Sequence, residues 1–413
     1  MTLPALERRV VVCVGCGGVG KTTVAAAIAL EAARAGRRAL VLTIDPARRL
    51  ADALGVESLG NQPEPLPREA LTALGVPAEG SLSALMLDMK RTFDDLVARF
   101  AESDAARDRV LANPIYRHVS DALAGSVEYS AMEKVYELSR SDAYDTLVVD
   151  TPPSQHALDF LDAPERLLEF LDSRLVQLWI HPAMAAGRLG FRWFGWGSRR
   201  ALGLIERITG IGFLEDVSEF LMAFEHMSEG FRARAREVRA LMRGPEAAFV
   251  LVASPESGSV EQAQRFLERL EAGDVRVAGI VANRVRVWPN GSPAGVEATD
   301  PTDAARLAHA LAEQEGESFP AARAARAAID AAARYAALVR RDATALAALR
   351  EHAEKRGSFF RVVPELFDDV HDLSSLERIA SSLAQRTHTA EDSMTATREP
   401  GANRRERRGT ASA

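Results

Sequence analysis

A glycine-rich run with one lysine and two threonines, Gly15-Cys16-Gly17-Gly18-Val19-Gly20-Lys21-Thr22-Thr23, is the stretch of this chain best suited to chemistry. Its glycines remove Cβ atoms, so successive backbone N–H groups can converge on one anion. Lys21 supplies a cation for the β- and γ-phosphates of a nucleotide, and the Thr22 hydroxyl supplies a ligand for Mg²⁺. Gly17, Gly18, Val19 and Gly20 then form the wall of a phosphate loop of spacing G-x-x-x-x-G-K-[ST]. Three further polar residues end apolar runs: Asp45, Asp150 and Asn283. An acid beside a phosphate loop holds a water of the Mg²⁺ shell, the role read here for Asp150. A strand-end amide on the nucleotide edge of a sheet reads the adenine N6/N7 edge or else forms a turn, and both readings stand for Asn283. His156, in the loop that follows Asp150, is either a γ-phosphate sensor or a core-facing residue.

These residues need a scaffold, and the hydrophobic pattern supplies one. Val10–Val14 is short and β-branched, as a buried strand is. An Ala-rich stretch from Thr23 to a glycine stop at Gly36 predicts a helix whose N-terminus faces the anion. Ala39–Ile44 completes a βαβ unit. Further strands are expected at Leu82–Leu87, before Asp150, and at Ala248–Ala253, Val277–Ala282 and Phe359–Val363. Helices are expected at Lys90–Ala101, Met132–Arg140, Val260–Ala272 and Ser374–Gln385, with a helical hairpin over Ala304–Glu354 broken near Pro320. The predicted fold is a doubly wound, mostly parallel α/β sheet with the site at its carboxyl edge and an inserted helical subdomain at about 160–245. Residues 1–385 form the ATPase domain in this reading, and 386–413 a disordered tail. The insert carries Trp193 and Trp196 beside Phe191 and Phe194, which form either ordinary core or a surface for a hydrophobic helix or a membrane face.

Composition narrows the partners. At 413 residues and 47% hydrophobic, the chain can bury a large core. A net charge of −7 argues against charge-driven or sequence-specific nucleic-acid binding. No apolar run reaches the roughly 18 residues of a membrane span, and the first residues lack the apolar core of a signal peptide, so a cytoplasmic protein is expected. The two cysteines, Cys13 and Cys16, sit in one short segment and are read as packing around the loop rather than as a redox or zinc pair.

Taken together, Val19-Gly20-Lys21-Thr22-Thr23, Asp45-Pro46-Ala47, Asp150-Thr151-Pro152-Pro153 with His156, and Asn283 resemble the ArsA-type ATPases. These include arsenite-efflux ATPases and targeting factors for tail-anchored membrane proteins, within the wider class of MinD and ParA. The resemblance runs over about residues 9–385. It implies that Lys21 and Thr22 bind phosphates and Mg²⁺, Thr23 binds the α-phosphate, Asp45 orients the attacking water, Asp150 supports Mg²⁺ and Asn283 recognises adenine. It also implies ATP and Mg²⁺ as cofactors and a dimer that closes over ATP.

The chain departs from the family's pattern in several places. Cys16 stands where the family carries a lysine that crosses to the partner's nucleotide, Arg48 and Arg49 replace a His and a Ser, and Gln155 replaces a Gly. The late Cys-x-x-Cys and the arsenite-binding cysteines are absent from the sequence. The missing lysine admits two solutions: replacement by Arg48 or Arg49 within the same site, or pairing with a lysine-bearing paralogue, the second being favoured because Pro46 restricts the turn. The expected activity is an ATP-hydrolysing dimeric switch, homodimer or heterodimer, that couples nucleotide state to a hydrophobic client or membrane component. An anion-pump subunit and a ParA/MinD-like positioning switch are the alternatives.

Overall fold

The computed structural model describes residues 3–45, 47–113, 116, 126–152, 163–166, 169, 229–289, 301–316, 319–366, 370 and 372–385. Most of the expected insert, including Trp193 and Trp196, lies outside them, as do Pro46, His156 and the tail from 386.

β-branched and leucine-rich segments form eight strands: β1 (Val10–Gly15), β2 (Arg38–Thr43), β3 (Glu64–Pro65), β4 (Ser81–Met86), β5 (Thr146–Asp150), β6 (Ala247–Ala253), β7 (Val277–Val285) and β8 (Phe359–Pro364). They make one sheet in the order β3-β4-β2-β5-β1-β6-β7-β8, parallel at every pair except the antiparallel β3–β4 edge. β1, which carries the glycine loop at its carboxyl end, therefore lies in the middle, between β5 and β6. Strands buried on both faces read as unbroken apolar runs, which is why β1 shows no polar alternation.

The two faces still separate by parity. Val11 and Cys13 pack into one core layer with Val41, Val148, Val250 and Val281, whereas Val10, Val12 and Val14 join the other with Leu40, Leu42, Val149 and Leu251. The first layer is closed by helix α1 (Lys21–Arg34) and the closing helix Leu373–Ala384. The second is closed by the helices Ser126–Ser139 and Ser257–Ala272 and by Leu346, Leu349 and Ala353 of a long helix, Ala321–Arg356. Helices on both faces of a parallel sheet are the doubly wound arrangement expected from the sequence. α1 is buried along most of its length, and its alanines, Ala25, Ala26, Ala27, Ala29, Ala32 and Ala33, are small enough for a helix packed on several sides. Arg34 ties α1 to the closing helix through Glu377 at 2.7 Å.

Most boundaries shift by one to three residues from the expected ones, the helix expected from Met132 begins six residues earlier, at Ser126, and one difference is consequential. β7 runs on through Asn283 to Val285, so Asn283 lies within a strand, and the adjacent Arg284 takes φ +58°. The segment read as a loop between Asn61 and Pro67 includes the two-residue edge strand β3, whose Pro65 suits an edge position. Two helices, Pro301–Glu315 and Ala321–Arg356, stand on either side of Pro320, where the sequence places a break.

The chain divides into two compact units, Met1–Val285 with Thr344–Gln385, and a second over Arg286–Ala343. Within the second, fully buried Asp342 receives the Arg286 backbone N–H at 3.2 Å and its guanidinium at 3.3 Å. There the Tyr335 hydroxyl donates to the Val287 carbonyl at 3.2 Å, with the Trp288 ring 5.9 Å away.

Candidate active site

The site assembles where β1, β2, β5 and β7 end on one edge of the sheet. After β1 the chain must turn sharply into α1, and only glycine allows the turn. Gly15 has φ +153°, and a Cβ there would stand 2.2 Å from the Val252 carbonyl oxygen of β6. Gly20 has φ +86°, and its Cβ would meet the Asn283 amide nitrogen at 2.3 Å. That contact reveals a brace: Asn283 Nδ2 donates to the Val19 carbonyl at 2.8 Å, and Asn283 is buried. The Arg284 guanidinium holds the next carbonyl back, Gly18, at 3.1 Å. The end of β7 thus fastens the glycine loop from outside through two consecutive side chains.

Lys21, the first residue of α1, is buried, and its Nζ donates to the Cys16 carbonyl at 2.9 Å. Burial lowers its pKa, an effect that Asp150 opposes and Arg49 reinforces. Asp150, at the end of β5, is almost fully buried. Its Oδ2 accepts from the Thr43 hydroxyl at 2.9 Å, whereas Oδ1 is buried with no hydrogen-bond partner among the described residues. Burial pushes the carboxyl up to about 6, against the lowering by the Thr22 and Thr43 hydroxyls and by Lys21. A buried carboxylate oxygen with no donor is a place that favours a cation or its water shell. Thr151, next in sequence, donates its hydroxyl to the Cys13 carbonyl at 2.8 Å, which pins the start of the following loop to β1.

Asp45 follows β2. Its Oδ1 accepts the Ala47 N–H at 3.0 Å, and its Oδ2 pairs with Arg49 at 3.2 Å. Arg49 opens the short helix α2 (Arg49–Leu54). The neighbouring Arg48 turns its guanidinium to the Glu57 carbonyl instead. Neither cysteine is in a disulfide: Cys13 lies in the core, its pKa raised by burial, and Cys16 directs its Sγ toward the Ser259 carbonyl at 3.9 Å.

These groups face one cavity of about 460 Å³. Gly17, Gly18, Gly20, Lys21, Thr22, Thr23, Asp45 and Asn283 of the sequence-predicted set line it. Val19 and Asp150 of that set are not among its lining residues. Arg49, Arg284, Glu365 and Leu366 also line it, and of these only Arg49 was singled out from the sequence.

A family profile described as anion-transporting ATPase matches residues 8–186. That profile spans less than half of the chain, and over that part the chain is similar to the ArsA-type ATPases. The protein named ATPase GET3 of Chaetomium globosum is 26% identical over 272 residues, covering 66% of this chain and 71% of that protein. The Schizosaccharomyces pombe ATPase get3 is 25% identical, over 67% and 73%. A candidate arsenical pump-driving ATPase of Halobacterium salinarum is 31% identical over 41% of this chain but only 26% of its own length. The ArsA-type profile thus spans β1, α1, β2 and the end of β5, the elements that place the glycine loop, Asp45 and Asp150.

Among the described residues of this chain, no three His, Cys, Asp or Glu side chains cluster as a metal cage, and no helix is long and apolar enough to cross a membrane. A cation held by one hydroxyl, a carboxylate behind it and a nucleotide's phosphates needs no such cage.

Proposed function

We propose that this ATPase is a nucleotide-driven dimeric switch that binds ATP with Mg²⁺ in the 460 Å³ cavity and couples its hydrolysis to holding and releasing a hydrophobic client or membrane component. The observation that carries the nucleotide reading is the meeting, on one cavity wall, of the glycine loop, Lys21, Thr22 and Thr23, with the partnerless Asp150 oxygen behind them. Lys21 takes the β- and γ-phosphates, and Thr23 the α-phosphate. Thr22 and Asp150 would hold Mg²⁺, which when bound would neutralise phosphate charge. Asp45 orients the attacking water. Water adds to the terminal phosphorus as the bond to the bridging oxygen breaks, and ADP leaves with that electron pair. One Nδ2–H of Asn283 is engaged by the Val19 carbonyl, which leaves the second N–H and the amide oxygen for adenine, while the same side chain fixes the loop.

Because the loop supplies one cation only, the assembly is either a homodimer or a heterodimer with a lysine-bearing paralogue. A second reading, the energising subunit of an anion pump, is favoured by the family description and by the Halobacterium relative. One experiment separates the two. Purified protein is loaded with ADP or with a non-hydrolysable ATP analogue and offered a labelled apolar helix in detergent, and its hydrolysis is measured with and without arsenite. Nucleotide-dependent retention of the helix supports the switch. Stimulation by arsenite, without retention in either state, refutes it in favour of the pump.

A further inference from the structure

Three cationic side chains line the cavity, and each is engaged differently. Lys21 is buried and bonded to the Cys16 carbonyl. Arg284 is spent on the Gly18 carbonyl, as part of the brace outside the loop. Arg49 is held only by an ion pair with Asp45 across one turn, and 64% of its side chain is exposed. An exposed pair of this kind is weak, because water screens both charges and holding a long side chain in place costs entropy. A triphosphate arriving in the cavity brings several negative charges and oxygens spaced to suit the planar fork of a guanidinium. It outcompetes a single carboxylate for Arg49.

Resting on the ATPase reading above, we propose that Arg49 is a phosphate-binding residue that leaves Asp45 for the terminal phosphate of the nucleotide bound in its own chain. The exchange has two effects at once. A second cation reaches the charge that develops in the transition state, and the Asp45 carboxylate, which the pair otherwise occupies, is freed to orient water. Nucleotide arrival thereby assembles the hydrolytic site instead of meeting one already formed. Arg48, one residue earlier, is turned to the Glu57 carbonyl and takes no part.

The test uses full-length protein with ATP and Mg²⁺, with single-turnover hydrolysis and ATP affinity measured separately. A guanidinium of this kind is worth about 10³ to 10⁵ in rate elsewhere. Arg49→Ala should therefore lose at least about a hundredfold in single-turnover rate, while ATP affinity falls by less than about tenfold. Arg49→Lys should recover part of the loss, and Arg48→Ala should match wild type. Co-expressed Arg49→Ala and Lys21→Ala chains separate action within a chain from action across a dimer. If Arg49 serves its own site, every site in the mixture lacks a needed cation, so the mixture stays inactive.

Wild-type turnover in Arg49→Ala overturns the proposal, and so does recovery of activity in the mixture. A tenfold or greater loss of ATP affinity with an unchanged bound-state rate also overturns it, since Arg49 would then be a binding group alone. If wild-type protein neither binds nor hydrolyses ATP, the nucleotide reading fails first, a result distinguishable from failure at Arg49 alone.

Discussion

The coupling between Gly20 and Asn283 can be tested by a double-mutant cycle. In Gly20→Ala two costs arise. The backbone sits at φ +86°, where an L side chain costs roughly 1–2 kcal/mol. The new Cβ also stands 2.3 Å from Asn283 Nδ2, so the amide must withdraw from the Val19 carbonyl, 2.8 Å away. Losing that bond leaves a buried amide and a carbonyl unpaired, worth about 1–3 kcal/mol. The single variant should therefore be destabilised by about 2–5 kcal/mol, the sum of these two ranges.

Asn283→Ala alone loses the hydrogen bond but creates no clash, at about 1–3 kcal/mol. In the double variant the methyl meets no amide, and the bond is already gone. Its cost should be the backbone strain plus one bond, so the two single costs should fail to add by about 1–3 kcal/mol. Urea unfolding of all four proteins, without nucleotide, measures the cycle. Additivity within about 0.5 kcal/mol would show that Asn283 does not brace the loop through this contact, and the site geometry argued here would fall with it.

Three other outcomes are expected. Lys21→Ala should weaken binding of ATP·Mg²⁺ by at least about a hundredfold, measured by calorimetry, since no other ammonium lines the cavity; unchanged affinity would sink the phosphate-loop assignment. Asp45→Asn should bind ATP within about threefold of wild type yet lose about 10² to 10⁴ in single-turnover rate, and equal loss of both would move Asp45 to the metal. Glu133 is buried between Arg99 and Arg234, and burial outweighs both arginines to raise its carboxyl from 4.5 to about 7. Between those values the folded state holds a proton that the unfolded state has released, so Glu133's contribution to stability should be greatest below about 4.5 and be lost as pH rises through 7. Glu133→Gln, neutral throughout, should flatten that fall by about 1–3 kcal/mol in urea melts at pH 5 and pH 8; Asp150, shifted the same way, stays in both proteins, and an unchanged slope refutes the assignment.

How much of this was legible in the sequence depends on distance along the chain. β1, the glycine turn and α1 are contiguous, so local signals of strand, left-handed turn and helix agree, and Lys21 and Thr22 fall on the cavity wall where the motif puts them. Asp45 and Asp150 end apolar strands, and in a parallel sheet all strand ends on one edge meet, so period and topology together sufficed. Register fixes the rest: Thr43 pairs with Asp150 across β2–β5, which is why its hydroxyl reaches the carboxylate. No local signal marks Thr43 for that role, because a threonine near a strand end is ordinary.

What could not be read is the class of contact made by side chains meeting across the fold. Asn283 and Val19 are 264 positions apart, and a sequence offers no reason for one amide to choose that carbonyl over an adenine edge. Arg48 and Arg49 are the same residue type side by side, and Pro46 gave reason to expect neither in the cavity. The helix α2 begins between them, so their side chains leave in different directions, one to Glu57 and one to Asp45. A single residue's rotation at a helix start thus decides which arginine faces the cavity. With Arg49 on the cavity wall, the steric ground for requiring a paralogue's lysine is removed, and the question becomes whether an exposed guanidinium four residues from Asp45 leaves it when an anion arrives.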